Sequence, residues 1–183
     1  MHKTFTLKTS LAVAVLLALP LAQAAAITEA DYKAGKASIS AQYKADKAAC
    51  ASFSANAKDI CFAEATAKEK IARAELEYGY TAKPADHNSV LVARAEASYA
   101  VAKEKCDDRA GNSKDVCVQE AKAVEVKALA DARMGKQIGE ARTDAAEDKR
   151  NADYKVAAEK CDALAGEAKN ACVAAAKVQF GKS

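Results

Sequence analysis

The chain has 183 residues, with 28 lysines and arginines against 25 aspartates and glutamates, a formal net charge of +3, no tryptophan and 5% aromatic residues. Charges of both signs are interleaved along the chain, which argues against nucleic-acid binding, because that requires a concentrated basic face. Alanine is the most frequent residue, and alanine, lysine and glutamate favour helices. We therefore predict an all-α protein with a thin core, since a buried alanine removes little apolar surface from water.

Residues 1–24 have the features of a secretory signal peptide. Lys3 and Lys8 precede the apolar stretch LAVAVLLALPLA, and Ala22–Ala24 (AQA) supplies the small residues expected at a cleavage site. An uncleaved membrane anchor is the alternative, but the apolar stretch is shorter than the roughly 20 residues that span a bilayer. We expect a periplasmic or secreted protein without stable membrane insertion. Loss of the two lysines would lower its net charge from +3 to about +1.

After the predicted signal peptide, one unit occurs three times, each marked by two cysteines with ten residues between them. The copies read YKADKAACASFSANAKDIC, YAVAKEKCDDRAGNSKDVC and YKVAAEKCDALAGEAKNAC, with a tyrosine seven residues before each first cysteine. Such self-similarity is typical of repeat proteins. The predicted organisation is helical hairpin repeats at residues 25–78, 90–135 and 136–183, with a linker at residues 79–89.

In the first unit, apolar residues recur at steps of seven, four and seven, which place them on one face of an α-helix: Tyr32, Ile39, Tyr43 and Cys50. A turn is predicted to follow at Asn56, because asparagine tolerates the left-handed conformation. Ala55, its neighbour, stands where the later units have glycine.

The second unit follows the linker GYTAKPADHNS, whose Pro84 and turn-forming residues favour a break between hairpins. One helical face then carries Leu91, Ala95, Tyr99, Ala102 and Cys106. Gly111 and, in the third unit, Gly166 are the predicted turns, since glycine commonly ends a helix in the left-handed conformation. Asn112 and Ser113 are candidate N-caps for the next helix. GKQIGEA (residues 135–141) is a weaker boundary, where a continuous helix is the alternative.

The cysteine spacing predicts three disulfides within the units. In an unbroken helix, residues eleven apart are separated by roughly 16 Å, whereas a disulfide requires Cα atoms about 4.4–6.8 Å apart. A bend between the cysteines brings them together on facing helices. The predicted pairs are Cys50–Cys61, Cys106–Cys117 and Cys161–Cys172; pairing between units is the alternative, because six cysteines allow 15 connectivities.

The tyrosines of the three units, Tyr43, Tyr99 and Tyr154, are predicted to pack along the seam of each hairpin. A ligand-facing row is the alternative interpretation. We assign no catalytic, cofactor-binding or metal-binding residue. Cys-x-x-Cys is absent, the cysteine spacing is too long for a zinc site, and His87 is the single histidine after the signal peptide.

The phrases YKADKAAC, AKDIC and YAVAKEKCDD resemble those of small exported, Ala/Lys-rich helical proteobacterial proteins of unknown function, often labelled TolA-like cell-envelope proteins. The resemblance implies a cell-envelope location.

The sequence therefore leads to a hypothesis of a non-enzymatic structural or interaction protein, with a chaperone-like or stress-related role as a variant. It needs no cofactor and associates with another envelope protein or with itself through helical faces. The alternatives are a thiol-redox or metal-handling protein and, more weakly, a binder of anionic envelope polymers through lysine-rich faces.

Overall fold

The computed structural model describes residues 27–182, and the predicted signal peptide lies outside this range. The described residues form five α-helices and one short 3-10 turn, without a strand. The elements are α1 (Glu29–Ala49), the 3-10 turn (Cys50–Ser52), α2 (Ala55–Thr81), α3 (Pro84–Cys106), α4 (Gly111–Cys161) and α5 (Gly166–Gln179). The prediction of an all-α fold of disulfide-bonded antiparallel hairpins is confirmed.

Local signals set the ends of the first helices. Thr28 caps α1, since its side chain accepts a hydrogen bond from the Asp31 backbone N–H at 3.1 Å. The link between α2 and α3 is only Ala82 and Lys83, because α2 continues to Thr81 and α3 begins at Pro84. Proline fits the first turn of a helix, where its missing N–H has no intrahelical partner. The predicted linker, residues 79–89, is therefore mostly helical.

The helices pack in series. α1 contacts α2, α2 contacts α3, α3 contacts α4, and α4 contacts α5. Among the described residues, no other pair of these helices packs together. A closed four-helix bundle would bring α1 against α4, so the arrangement is an open layer that leaves the outer faces of α1 and α4 uncovered.

The core is thin and rich in alanine. Helix α3 lies between α2 and α4 and contributes more buried residues than any other described helix, among them Val90, Ala93, Ala95 and Ala97. The largest side chains that are less than 2% exposed are the first cysteines of the three units: Cys50, Cys106 and Cys161. The disulfides thus supply bulk where alanine cannot.

Helix α4 has 51 residues, which corresponds to about 75 Å at 1.5 Å per residue. Its first part packs against α3 and its last part against α5, and every residue from 133 to 150 is exposed. We call residues 133–150 the shaft. The expected repeat boundary between residues 135 and 136 lies inside this helix, as in the continuous-helix alternative. Gly135 and Gly139 cost the helix roughly 1 kcal/mol each, and strong helix formers surround them.

Candidate functional site

The cysteines pair within each unit, as predicted. The Cα–Cα distances are 5.6 Å for Cys50–Cys61, 5.7 Å for Cys106–Cys117 and 5.7 Å for Cys161–Cys172. Each bond lies at the end of a hairpin and joins its two helices next to the turn. Among the described residues no cysteine is free.

The turns of the second and third units have the same geometry. In the second unit, Ala110 is extended with φ −130° and ψ 158°, and Gly111 follows with φ +55°. In the third unit, Ala165 has the same φ and ψ, and Gly166 has φ +58°. The glycines therefore adopt the left-handed conformation, but as the first residues of α4 and α5 and not directly after the preceding helices.

The expected N-caps of α4 are wrong for the same reason. The helix begins one residue before Asn112, so neither Asn112 nor Ser113 can cap it. Ala110 holds the N-cap position and provides no side-chain hydrogen bond. The sharp turn between the cysteines sets the start of the helix here, in place of a capping side chain.

The first unit forms its turn differently from our expectation. Ala55 has the left-handed conformation with φ +47°, and Asn56 does not. The Asn56 side chain instead donates from Nδ2 to the Glu104 backbone oxygen at 2.9 Å and to Asp108 Oδ1 at 2.7 Å. These bonds connect the first turn to the second, because α1 to α4 run alternately up and down and place both turns at one end of the layer.

The lysine that recurs eight residues after each first cysteine has a clear role in two units. Lys114 forms an ion pair with Asp107 at 3.0 Å, and Lys169 forms the matching pair with Asp162 at 2.9 Å. Each pair bridges the turn beside the disulfide. The side chains are partly exposed, so each bridge contributes at most about 1 kcal/mol. In the first unit Ala51 stands at the aspartate position, and no such bridge is possible.

The unit tyrosines are half-buried and each approaches the partner side of its own hairpin. Tyr43 Oη lies 3.5 Å from Thr66 Oγ1 of α2. The Lys122 ammonium of α4 lies 4.8 Å from the centroid of the Tyr99 ring. The Tyr154 ring packs edge-on against Phe180, with the centroids 6.4 Å apart. Packing of these tyrosines along the seam stays a prediction.

A second aromatic group, which the sequence did not reveal, lies at the opposite end of the layer. Tyr32 stacks on Tyr80 with ring centroids 4.4 Å apart, and Tyr78 packs edge-on against His87 at 5.0 Å. The Tyr32 hydroxyl donates a hydrogen bond to Glu77. This bond, together with partial desolvation, raises the pKa of Tyr32 above its ordinary value. The group holds the start of α1 on the end of α2.

An open cleft of about 410 Å³ lies between α3 and α4. Its wall includes Glu125, which is 7% exposed and is the one buried charged residue of the described chain. The Lys122 ammonium donates to Glu125 Oε2 at 2.6 Å, and this bond raises the pKa of Lys122. The carboxylate is thus already paired. We interpret it as part of the α3–α4 contact.

Helix α4 carries a line of exposed apolar side chains, which we call the α4 stripe. Its members recur at steps of three, four or seven and share one helical face: Val116, Ala123, Ala130, Met134, Ile138, Ala141, Ala145, Ala152 and Val156. All nine are exposed, among them Met134 at 55% and Ile138 at 45%.

The stripe faces away from the rest of the protein. The buried residues of α4 are Glu125, Ala132 and Cys161, and they lie about 160–180° around the helix from Met134, at roughly 100° per residue. Helices α3 and α5 therefore pack on the same side of α4, and the stripe lies on the opposite side.

Comparison of the chain with protein-family models, with curated proteins and with solved structures finds no match. No helix between residues 27 and 182 combines the length and the apolar character that crossing a membrane requires. Within the same range, no group of three or more His, Cys, Asp or Glu side chains is arranged to hold a metal ion.

Proposed function

We propose that the chain is a non-enzymatic structural protein of the cell envelope that presents helical surfaces to other proteins. The observation that carries this proposal is the shaft of α4, which separates two disulfide-bonded helical ends and is exposed along its whole length. An exposed helix of this kind is typical of a connector between two packed parts. Such a geometry suits a spacer or scaffold.

The disulfides support a structural role. In the chain-entropy model, closing a loop of about a dozen residues stabilises the folded state by roughly 3 kcal/mol. That is a large contribution for a hairpin whose core is mainly alanine. The first cysteine of each pair is 0–1% exposed, so an attacking thiolate reaches it poorly. This burial favours structural bonds over the thiol-redox alternative.

Export to the periplasm, or secretion, belongs to the same proposal. Its support is the signal-like residues 1–24 and the three disulfides, because disulfides persist in oxidising compartments and are rare in the reducing cytosol.

The proposal is tested by photo-crosslinking in cells of the source organism. A photoreactive amino acid replaces Val178 on α5 or Phe53 at the first turn, which are 83% and 51% exposed and lie on the two packed parts that the shaft separates. The control places it at Gly139, on the shaft but off the α4 stripe. We expect discrete adducts with envelope proteins from the Val178 and Phe53 positions. Adducts no different from those of the control and of an unrelated exported protein would refute the proposal.

The redox alternative has its own test. Protein purified under native oxidising conditions is titrated with a thiol reagent, and its ability to reduce insulin disulfides is measured. We expect fewer than about 0.1 thiols per chain, because structural disulfides of exported proteins resist reduction by the glutathione pool. Near-stoichiometric thiols or catalytic reduction would favour the redox alternative.

A further inference from the structure

We propose that the α4 stripe binds the α4 stripe of a second copy of this chain, with the two helices antiparallel. The inference deepens the proposed structural function and rests on it, because it names the partner of one helical surface. It starts from three features of α4: the apolar stripe, the pattern of charges beside it, and the position of α3 and α5 on the other side of the helix.

The stripe is suited to close helix packing. Its members are mainly alanine, with Met134 and Ile138 at the centre, and small side chains let two helix backbones approach closely. From Ala130 to Ala152 they recur at steps of four, four, three, four and seven, which resembles the a and d positions of a coiled coil. In the described structure nothing covers this face, since α3 and α5 lie behind it.

One antiparallel register matches these residues. If a twofold axis passes between residues 137 and 138, Ile138 meets its own copy near the axis. Met134 then lies opposite Ala141, Ala130 opposite Ala145, and Ala123 opposite Ala152. Apolar residues face apolar residues over about 30 positions of α4, which is roughly 45 Å of helix, except where Lys127 and Asp148 lie on the same face and meet each other.

The same register brings opposite charges together. It places Lys127 opposite Asp148, Asp131 beside Arg142, and Arg133 beside Asp144. The twofold axis repeats each pair, and Lys149 is a like-charged neighbour of Lys127 at the rim. All six residues of these pairs are exposed, and among residues 27–182 none of them forms an ion pair. A parallel arrangement in register would instead set each of these charges against its own copy. The charge pattern therefore selects the antiparallel dimer.

The first test measures the mass of the protein after signal-peptide removal by sedimentation at several concentrations. We expect a dimer, and we expect Ile138→Lys to raise the dissociation constant at least tenfold, because it places two ammonium groups at the twofold axis. The matched control is Thr143→Lys, on the opposite side of the same exposed segment, which should leave the constant unchanged. Circular dichroism verifies that both variants fold.

The second test concerns the register. Lys127→Asp and Asp148→Lys should each weaken the dimer at least tenfold, and the double variant K127D/D148K should restore it to within about threefold of the original. A carbodiimide should also join Lys127 of one chain to Asp148 of the other, which mass spectrometry of a mixture of ¹⁴N- and ¹⁵N-labelled protein identifies.

Each result supports or overturns the inference. A monomer at 100 µM, about a hundred times a micromolar dissociation constant, overturns it. A dimer that Ile138→Lys leaves intact also overturns it. The same holds for a dimer that K127D/D148K does not restore and in which Lys127 is not crosslinked to Asp148. If the protein is a monomer but Val178 and Phe53 still crosslink to envelope proteins, only the dimer is refuted and the structural function stands.

Discussion

At the residue scale, the three turns show which details a sequence can specify. The disulfides were predictable, because ten intervening residues and a helix-breaking turn leave few geometries in which the cysteines meet. The position of the left-handed residue was not. Asparagine is the better left-handed residue by propensity, yet Ala55 takes that conformation. Ala55 stands where the later units have Gly111 and Gly166, and the left-handed residue occurs at this position in all three turns. Asn56 is used instead for hydrogen bonds to the second turn, a long-range contact that local preference cannot reveal.

The left-handed alanine gives a stability prediction. An alanine in this conformation costs about 1–2 kcal/mol, and glycine loses roughly 0.5–1 kcal/mol more backbone entropy on folding. We therefore expect Ala55→Gly to increase the free energy of unfolding by about 0.5–1 kcal/mol, measured by denaturant titration of the oxidised protein. Gly111→Ala is the matched reverse change. It should destabilise by a similar amount, since its new methyl group meets no atom within 4 Å. Destabilisation by Ala55→Gly would contradict the strain argument.

The Lys122–Glu125 hydrogen bond gives a pH prediction. The bond raises the pKa of Lys122 above 10.5 in the folded protein, so its stabilisation is complete below that value and is lost as the pH rises through the folded pKa. We expect Lys122→Met to destabilise the protein at pH 8, and we expect the difference from the unmodified protein to shrink at pH 11. Both are measured by urea unfolding.

The matched control for this prediction is Lys177→Met. Lys177 occupies the same place in the third unit as Lys122 in the second, five residues after the second cysteine, and forms no ion pair among the described residues. Its effect should not vary with pH in the same way. Equal pH dependence for both variants would show that the Lys122–Glu125 bond is not the cause.

At the element scale, the hairpins could be predicted from the repeat of cysteines and helical periodicity, but the length of α4 could not. The stretch GKQIGEA has two glycines and resembles a boundary, yet glycine costs only roughly 1 kcal/mol in a helix interior. The packing of α4 against α3 at one end and against α5 at the other stabilises the continuous helix by more than that cost. The reverse error occurred at residues 79–89, where Pro84 marks the start of a helix and two residues suffice for the turn.

The glycines of the shaft make it locally unstable. We expect Gly135→Ala and Gly139→Ala each to slow amide hydrogen exchange in residues 133–150 about fivefold, the factor that corresponds to roughly 1 kcal/mol of helix propensity. Ala146→Gly, which lies off the α4 stripe, should accelerate exchange by a similar factor. Exchange that responds to none of the three changes would show that the shaft opens only when the whole molecule unfolds.

At the scale of the whole molecule, the serial packing of the helices makes the units unequal. Helix α3 is held between α2 and α4, whereas α5 contacts α4 alone and has a single buried residue, Ala176. The sequence repeat suggested three equivalent hairpins. It did not show which faces would meet, because the alanine-rich helices have similar surfaces and their pairing depends on the complete set of contacts.

This inequality predicts different responses to disulfide removal. Replacing Cys161 and Cys172 by serine should release α5, because a 14-residue helix is marginal in water without partners. Limited proteolysis should then cleave within residues 166–182, with a matching loss of helical signal. In the control, serine at Cys106 and Cys117 should lower global stability but leave α3 protected by α2. Equal protease sensitivity of the two variants would argue against the serial arrangement.

The length of the shaft also fixes an angle. Residues 133–150 make about five complete turns at 3.6 residues per turn. Because the number of turns is whole, α3 and α5 pack on the same side of α4. The number of residues in the shaft therefore sets the angle by which one packed part is rotated about the axis of α4 relative to the other. An insertion of two residues would rotate the terminal hairpin by about 200° relative to the rest and turn it onto the side that the α4 stripe occupies. An insertion of eighteen would lengthen the molecule and leave both bodies aligned.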